Sequence, residues 1–325
     1  FLFLQPERTM PQPANKRRKV DKTFDWKLVL PTPQTFKTLL NIVEPTVSNV
    51  TFQVCMEESN SENEGKPFSG IRIDAMNSSK VCLIKVAYEC DVTVSSELRN
   101  QLFCIDITLL KKLLKKVHAS NVIELTLYRD GVDVEVRIYD RDNRNNWSVS
   151  TIQLVGETPE YSNFDMRNIT YNHVVEIDLD RLKETCDLVD KIGSTVIEFC
   201  IEDPEEQPEN AHHNFFMVRA DGDGCTTQKV HHTMRISDEE VSHVRVVTNK
   251  ESDLNYGDSP LVQKYKGVFP IVYLNGVLKS MDKQSIQLYF GEGLPLVMSY
   301  GLGGDSSYIK IVLAVRETKN NEEDD

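Results

Sequence analysis

The spacing of apolar residues along this chain switches between 2 and 3.6 in a recurring order, which predicts strands and amphipathic helices in repeated units. A strand at about 24–30 leads into a helix over 33–43. Thr32 caps that helix, Pro33 opens it, and Phe36, Leu39, Leu40 and Val43 form its apolar stripe. Strand-like runs follow near 50–56, 68–75 and 81–87. The order then starts again with a strand at 100–106, a helix, and runs near 122–128, 132–139 and 147–154, the first two joined through Asp130-Gly131. A third unit begins with a strand at 172–178 and a helix over 179–191 that turns Leu179, Leu182, Cys186 and Val189 inward and stops at Gly193. The fourth is expected to have a strand near 242–248 and a helix from Pro270 to Lys279. Helix starts at 33, 107, 179 and 270 lie 74, 72 and 91 residues apart, the last interval being lengthened by acidic or polar loops near 202–213 and 249–262. Four strand-helix-three-strand units in two pairs imply an α+β protein of two similar domains, with helices covering one side of antiparallel sheets and a linker near 155–170.

The second helix adds chemistry to the pattern. Leu110, Leu113, Leu114 and Val117 fall at i, i+3, i+4 and i+7, and Lys111, Lys112, Lys115 and Lys116 fall on the opposite side. The chain as a whole is acidic, with 50 Asp and Glu against 37 Lys and Arg and a formal net charge of −13. An acidic protein that keeps one face basic has separated its charge, and a polyanion such as DNA suits that face. The plain alternative is a solvated helix face. Acidity of the whole argues against a protein that coats nucleic acid with its entire surface, so any such contact is local.

Composition sets further bounds. The 325 residues are 40% hydrophobic and 27% charged, enough for two ordinary domains, and no apolar run is long enough to span a membrane. Seven cysteines include no Cys-x-x-Cys pair and leave an odd one, which suggests core residues of an intracellular protein. Gly301 to Gly304 and Gly222 to Gly224 resemble hairpin turns, since neither opens a helix after a strand as a phosphate-binding loop does. The pairs His212-His213 and His231-His232 are read as loop or surface residues. Asp178, Asp180 and Glu184 are read as the acidic start of a helix. No catalytic residue, metal or cofactor is therefore expected. Residues 1–23 form a Pro-rich, basic tail expected to be disordered, with Met10 as a natural start. Its Lys16-Arg17-Arg18-Lys19 cluster suits a nuclear-import signal or a loose DNA contact. Residues 318–325 form an acidic tail of the same kind.

Specific segments then carry a resemblance. Ala75-Met76-Asn77-Ser78-Ser79-Lys80-Val81-Cys82-Leu83 resembles the segment between neighbouring strands of the proliferating cell nuclear antigen family, the eukaryotic DNA sliding clamps. Tyr171 to Val175 running into Cys186 and Ile192-Gly193 is similar to the start of that family's second domain. Phe269 through Tyr273-Leu274-Asn275 to Lys279 resembles its last helix, and Leu294 to Val297 with Leu313-Ala314 its closing strands. The resemblance covers about residues 24–317.

It implies a DNA-clamp fold with an N-terminal clamp domain over 24–154, an interdomain connecting linker over 155–170 and a C-terminal clamp domain over 171–317. In that family three subunits close a ring around duplex DNA, helices inside and sheets outside. The ring is a processivity factor for DNA polymerase, loaded by a clamp loader and shared by repair enzymes. Lys111, Lys112, Lys115, Lys116, Lys191 and Lys279 would contact the phosphates without reading sequence. Met76, Val81 and Leu83, with Pro295, Ala314 and Val315 opposite and Phe164 and Met166 on the linker side, would form the pocket for the short clamp-binding motifs of partner enzymes. Ring closure is expected through the strands Trp147 to Leu154 and Phe215 to Ala220 of neighbouring subunits. The implied compartment is the nucleus, or a viral replication compartment for a viral clamp. Glu184 and Asp187 stand where the family places arginines, Glu202 where it has a modifiable lysine, and Ala314-Val315 where it has Ala-Pro. Two relatives of the same architecture remain open alternatives: a checkpoint-type subunit that closes only with different partners, and a monomeric viral processivity factor.

Overall fold

The computed structural model describes residues 24–30, 32–56, 68–95, 101–129, 131–156, 169–171, 173–202, 215–223, 229–236, 243–245, 255–256, 265–282, 285–303 and 306–316. In the N-terminal half these form β1 (Phe24–Leu30), α1 (Pro33–Val43), β2 (Asn49–Met56), β3 (Ser69–Met76), β4 (Cys82–Glu89), β5 (Asp91–Val94), β6 (Gln101–Asp106), α2 (Ile107–Leu114), β7 (Asn121–Tyr128), β8 (Asp133–Asp140) and β9 (Trp147–Gln153). The C-terminal half repeats the order: a two-residue β10 (Thr170–Tyr171), β11 (His173–Asp178), α3 (Leu179–Lys191), β12 (Val196–Glu202), β13 (Phe215–Asp223), β14 (Lys229–Ile236), β15 (His243–Arg245), β16 (Asn255–Tyr256), β17 (Tyr265–Pro270), α4 (Ile271–Leu278), β18 (Ser285–Phe290), β19 (Leu296–Gly301) and β20 (Tyr308–Leu313). This is the α+β arrangement that the periodicity predicts.

Two of the expectations change. The fourth unit's first strand is β17, which runs straight into α4 and pairs with β12, as β6 runs into α2 and pairs with β2. The expected 242–248 strand is the three-residue β15 at a sheet edge. A strand that feeds a helix has to end where the helix begins, and the alternation at 242–248 ends well before that point. The second helix is shorter than its stripe: Lys115 is its C-cap, and Val117, beyond the end, still reaches the core. Of the two histidine pairs, His231 and His232 lie in the strand β14, and His212 and His213 lie outside the described residues. The linker expected at 155–170 is described only at its two ends.

The sheets are organised around one junction. A nine-stranded sheet runs β15-β11-β18-β19-β20-β4-β3-β2-β6, a five-stranded sheet runs β5-β1-β7-β8-β9, and a four-stranded sheet runs β14-β13-β12-β17. The nine-stranded sheet joins the two halves of the chain through β20 and β4, antiparallel, from Tyr308 opposite Ala87 to Leu313 opposite Cys82. Along that ladder Ile309, Ile311 and Leu313 share one buried face with Cys82, Ile84 and Val86.

The helices cover the inner face of these sheets. α2 packs on α1, α1 on α4 and α4 on α3, so the four lie side by side in that order. Beneath them runs a core that includes Trp26, Phe52 and Phe103, with Trp26 and Phe103 ring centroids 4.5 Å apart, and Phe199, Phe216, Phe269 and Phe290 in the second half. Thr32 begins α1 as expected, yet its hydroxyl bonds the Tyr88 hydroxyl at 2.6 Å instead of a helix amide. Asp106 and Asp178 cap α2 and α3 through their carboxylates, accepting from the amides of Leu109 and Arg181.

The repeat extends to single contacts. Lys37 Nζ donates to the Val117 carbonyl at 3.2 Å, and Lys183 Nζ to the Met281 carbonyl at 2.8 Å, at matching places on α1 and α3. Glu124 on β7 sits between Lys27 at 2.7 Å and Arg137 at 3.9 Å. Glu198 on β12 sits in the same way between Lys266 at 2.8 Å and Arg219 at 3.8 Å.

Candidate functional site

Two features stand out on opposite faces of the nine-stranded sheet: an apolar groove outside and a charged helix layer inside. The groove is built at the β4–β20 junction. The β3–β4 turn supplies Met76, Lys80 and Val81, β4 supplies Leu83, the β18–β19 turn supplies Gly293 and Pro295, and the end of β20 supplies Val312, Ala314 and Val315. These line a cavity of about 430 Å³. All six groove residues expected from the sequence and described here, Met76, Val81, Leu83, Pro295, Ala314 and Val315, meet in it. Phe164 and Met166 lie outside the described residues. Below the groove a satellite apolar cluster joins Leu83, Tyr171, Val174, Tyr289, Val297 and Val312, with Met76, Ile169 and Leu294 against it.

Sequence reading missed Lys80, Gly293 and Val312. Val312 stands directly opposite Leu83 in the ladder, a pairing that only the register reveals. Gly293 holds φ +66° in its turn, the left-handed region that glycine enters without strain. Lys80 also has positive φ, 58°, in a tight turn held by Asn77. The Asn77 Oδ1 accepts from the amides of Val81 at 2.9 Å and Cys82 at 3.0 Å, and its Nδ2 donates to Ser79 Oγ at 2.8 Å. Buried Asn77 thus fixes the wall of the groove that Met76 and Val81 form.

The helix layer is uneven in charge. On α2 and just beyond it Lys112, Lys115 and Lys116 are exposed and have no acidic partner among the described residues. Lys111 differs from these three: half-buried, it pairs with Glu44 at the end of α1. The two helices enclose a cleft of about 370 Å³ lined by Lys37, Asn41, Glu44, Lys111, Lys112 and Lys115 among others. Lys279 is exposed after α4 and Lys191 at the end of α3. On α3 the exposed residues are mostly acidic: Asp180, Glu184, Asp187 and Asp190. Its other cations are already engaged, Arg181 with Glu184 at 3.5 Å and Lys183 with Asp180 at 3.6 Å. The six lysines expected to act together therefore do not form one continuous patch. They cluster at α2, with Lys279 and Lys191 spaced along the row.

Titratable groups elsewhere are held in the neutral form by burial. The thiol of Cys82, under the groove, is pushed up to about 11, and those of Cys90, Cys186 and Cys200 to about 12. Such thiols are poor nucleophiles.

The sheet-and-helix arrangement has counterparts among solved structures. Proliferating cellular nuclear antigen from Entamoeba histolytica superposes with a TM-score of 0.66 at 14% identity, covering 91% of this chain and 100% of that one. PCNA from Thermococcus kodakaraensis gives 0.65 at 18% identity, covering 90% and 100%. A chain of the PCNA2–PCNA3 complex from Sulfolobus tokodaii gives 0.64 at 13% identity, covering 89% and 99%. The chain therefore has the DNA-clamp fold. No protein-family model matches its sequence, and a search of curated proteins finds no match.

The groove turn gives a direct test. Asn77→Ala leaves two amides without their acceptor and should cost about 1 to 3 kcal/mol of stability, read by denaturant unfolding. Ser79→Ala, which removes only a peripheral partner, should cost far less.

Proposed function

We propose that this protein is a DNA sliding clamp, a ring that holds polymerase and repair enzymes on duplex DNA and that catalyses nothing itself. One observation carries the reading. The nine-stranded sheet within the chain is a five-stranded block (β15-β11-β18-β19-β20) joined edge to edge with a four-stranded block (β4-β3-β2-β6). Apart from the two-stranded β10-β16, the other two sheets have the same two compositions, β5-β1-β7-β8-β9 and β14-β13-β12-β17, and among the described residues each ends on an open strand at the matching place. By the repeat, β9 corresponds to β20 and β14 to β4. Joining β9 of one copy to β14 of the next makes a second nine-stranded sheet and continues into a ring, which we take to have three subunits. This corrects the expected pairing in one respect: β13 (Phe215–Asp223) is an interior strand with β12 and β14 on either side, so the available edge is β14.

The open edge of β9 is also correctly poised. The amide of Leu154 donates to Val132 O, and that of Asp140 to Asn146 O. In an antiparallel ladder this alternation turns the amides of Ser148, Ser150 and Ile152 toward β8 and those of Val149 and Thr151 outward. An open edge of this length normally needs a partner.

Inside such a ring the helices face the duplex. Lys115 and Lys279 occupy equivalent positions after α2 and α4, and exposed lysines there make weak phosphate contacts that permit sliding. Topology, not affinity, would retain the DNA, which is why an acidic protein can serve. The groove at the β4–β20 junction would seat the apolar anchors of a partner's short motif, with Lys80 at its rim. With the basic Lys16 to Lys19 cluster as import signal, the nucleus is the compartment we assign. A clamp closing with a different but related chain is the second reading, favoured by the likeness to a member of a two-protein clamp complex.

Three outcomes are expected. Thr151→Pro should remove an outward donor and reduce the trimer to monomer by light scattering while the monomer keeps its circular dichroism. A wild type that is monomeric alone but assembles with a homologue would instead mean a mixed ring. Changing Lys115 and Lys279 together to Glu should shorten retention on nicked circular DNA and flatten its salt dependence, with ring mass unchanged. Finally, Met76→Ala combined with Val315→Ala should weaken a clamp-binding motif peptide by roughly 1 to 3 kcal/mol in calorimetry.

A further inference from the structure

The groove wall that Met76 and Val81 form is a turn with its own internal bonds and a separate tie to the helix layer. Within the turn, Lys80 N donates to the Asn77 carbonyl and Asn77 N to the Cys82 carbonyl, each at 3.0 Å. With the two amides that Asn77 Oδ1 accepts, these bonds hold Lys80 at φ 58°, a conformation that an L-residue keeps only when its surroundings over-determine it. They fix the shape of the turn. A different contact reaches the helices: the Ser79 hydroxyl, which accepts from Asn77 Nδ2, is hydrogen-bonded to the Tyr273 hydroxyl of α4 at 3.0 Å, across 194 residues of chain. Asn77, Ser79 and Tyr273 thus form one continuous link from the turn to α4.

The helix at the other end of that link is firmly seated. Ile271, Leu274 and Leu278 are buried, Ser280 Oγ donates to the Asn41 carbonyl of α1 at 3.2 Å, and Gly276 lies so near Pro45 that an added Cβ would stand 3.3 Å from its Cβ. The repeated unit does not itself require the link. The buried stripe Ile107, Leu110 and Leu114 of α2 matches Ile271, Leu274 and Leu278 of α4, so Tyr273 corresponds to Leu109, which is 47% exposed and carries no hydroxyl. The tyrosine stands at the junction that carries the groove.

We propose that Tyr273 is a positioning residue for the groove: through Ser79 it holds the wall of Met76 and Val81 in place opposite Pro295 and Val315. This rests on the reading of the groove as a partner site and names a residue, outside its lining, that sets its grip. The bond is exposed to water, so losing it costs folding little. The ring of Tyr273 packs against the main core, and phenylalanine keeps that packing. Without the hydroxyl the wall is free to shift, and a partner's motif has to order it on binding, which lowers affinity.

Calorimetric titration of the full-length protein with a peptide carrying a short clamp-binding motif tests this. Tyr273→Phe and Ser79→Ala should each weaken the peptide by roughly 3- to 10-fold, the worth of one hydrogen bond, while the denaturant midpoint of Tyr273→Phe stays at the wild-type value. The double variant should bind as Ser79→Ala alone does, because both changes break the same link. A role confined to folding would instead lower the midpoint and leave the affinity of the folded protein unchanged. If the wild type binds and either single variant binds as tightly, or if the two losses multiply in the double variant, the positioning role is wrong while the groove stands. A wild type that does not bind the peptide overturns the groove reading and this one with it.

Discussion

The ladder between β4 and β20 is the constraint on which the rest of the molecule depends. It joins strands more than two hundred residues apart in sequence, and its six cross-strand pairs align two separate units into one sheet. Its inner face is continuous aliphatic core, so slipping one strand by one residue would turn either Ile84 and Val86 or Ile309 and Ile311 away from it. The outer face is less comfortable. Lys85 and Lys310 stand directly opposite, a pairing of like charge, and Asp74 on the next strand relieves it at 3.1 Å from Lys85. Burial works against the charged form of Asp74 and raises its pKa even so. The ladder therefore owes its register to the apolar face, with the outer charges accommodated afterwards.

Both candidate features follow from that ladder. The groove exists because the β3–β4 turn and the end of β20 are brought side by side at one end of it, with the β18–β19 turn closing the third side. The helix row exists because α1 and α4 are drawn together under the same pair of strands. One interaction thus sets an apolar site on the outside and a charged layer on the inside.

The chain makes one junction within itself and leaves the counterpart surfaces open among the described residues, with different chemistry. A junction made once within a chain is never exposed, so it can be built from Ile42, Val277, Gly276 and Pro45 in close packing. The matching surfaces of β9, α2 and α3 are open in the single chain, and an open edge of pure apolar residues would invite indiscriminate pairing. Serines and threonine on β9, lysines on α2 and carboxylates on α3 keep those surfaces polar. The ion clusters around Glu124 and Glu198 keep the same arrangement in the two halves.

The sequence by itself determined the elements and their order. The helices α1 and α3 lie where the 3.6 period, Pro33 and Gly193 put them, because amphipathic spacing and terminal residues act within a few residues of chain. It also marked Met76, Val81, Leu83, Pro295, Ala314 and Val315, through segments that resemble a known family. Tertiary structure decided what depends on pairing over long distance. Alternation in Phe215 to Ala220 shows a strand but not whether a neighbour lies on one side or both, and β14 turned out to cover it. The run at 242–248 has the right period yet pairs at an edge, because the place beside β12 belongs to the strand that enters α4. Four lysines on one helix look equivalent in sequence, but only the packing of α1 brings Glu44 to Lys111 and leaves the others to water. Local spacing fixes which face a residue occupies, and the partner across that face is set by residues too remote for any periodicity to report.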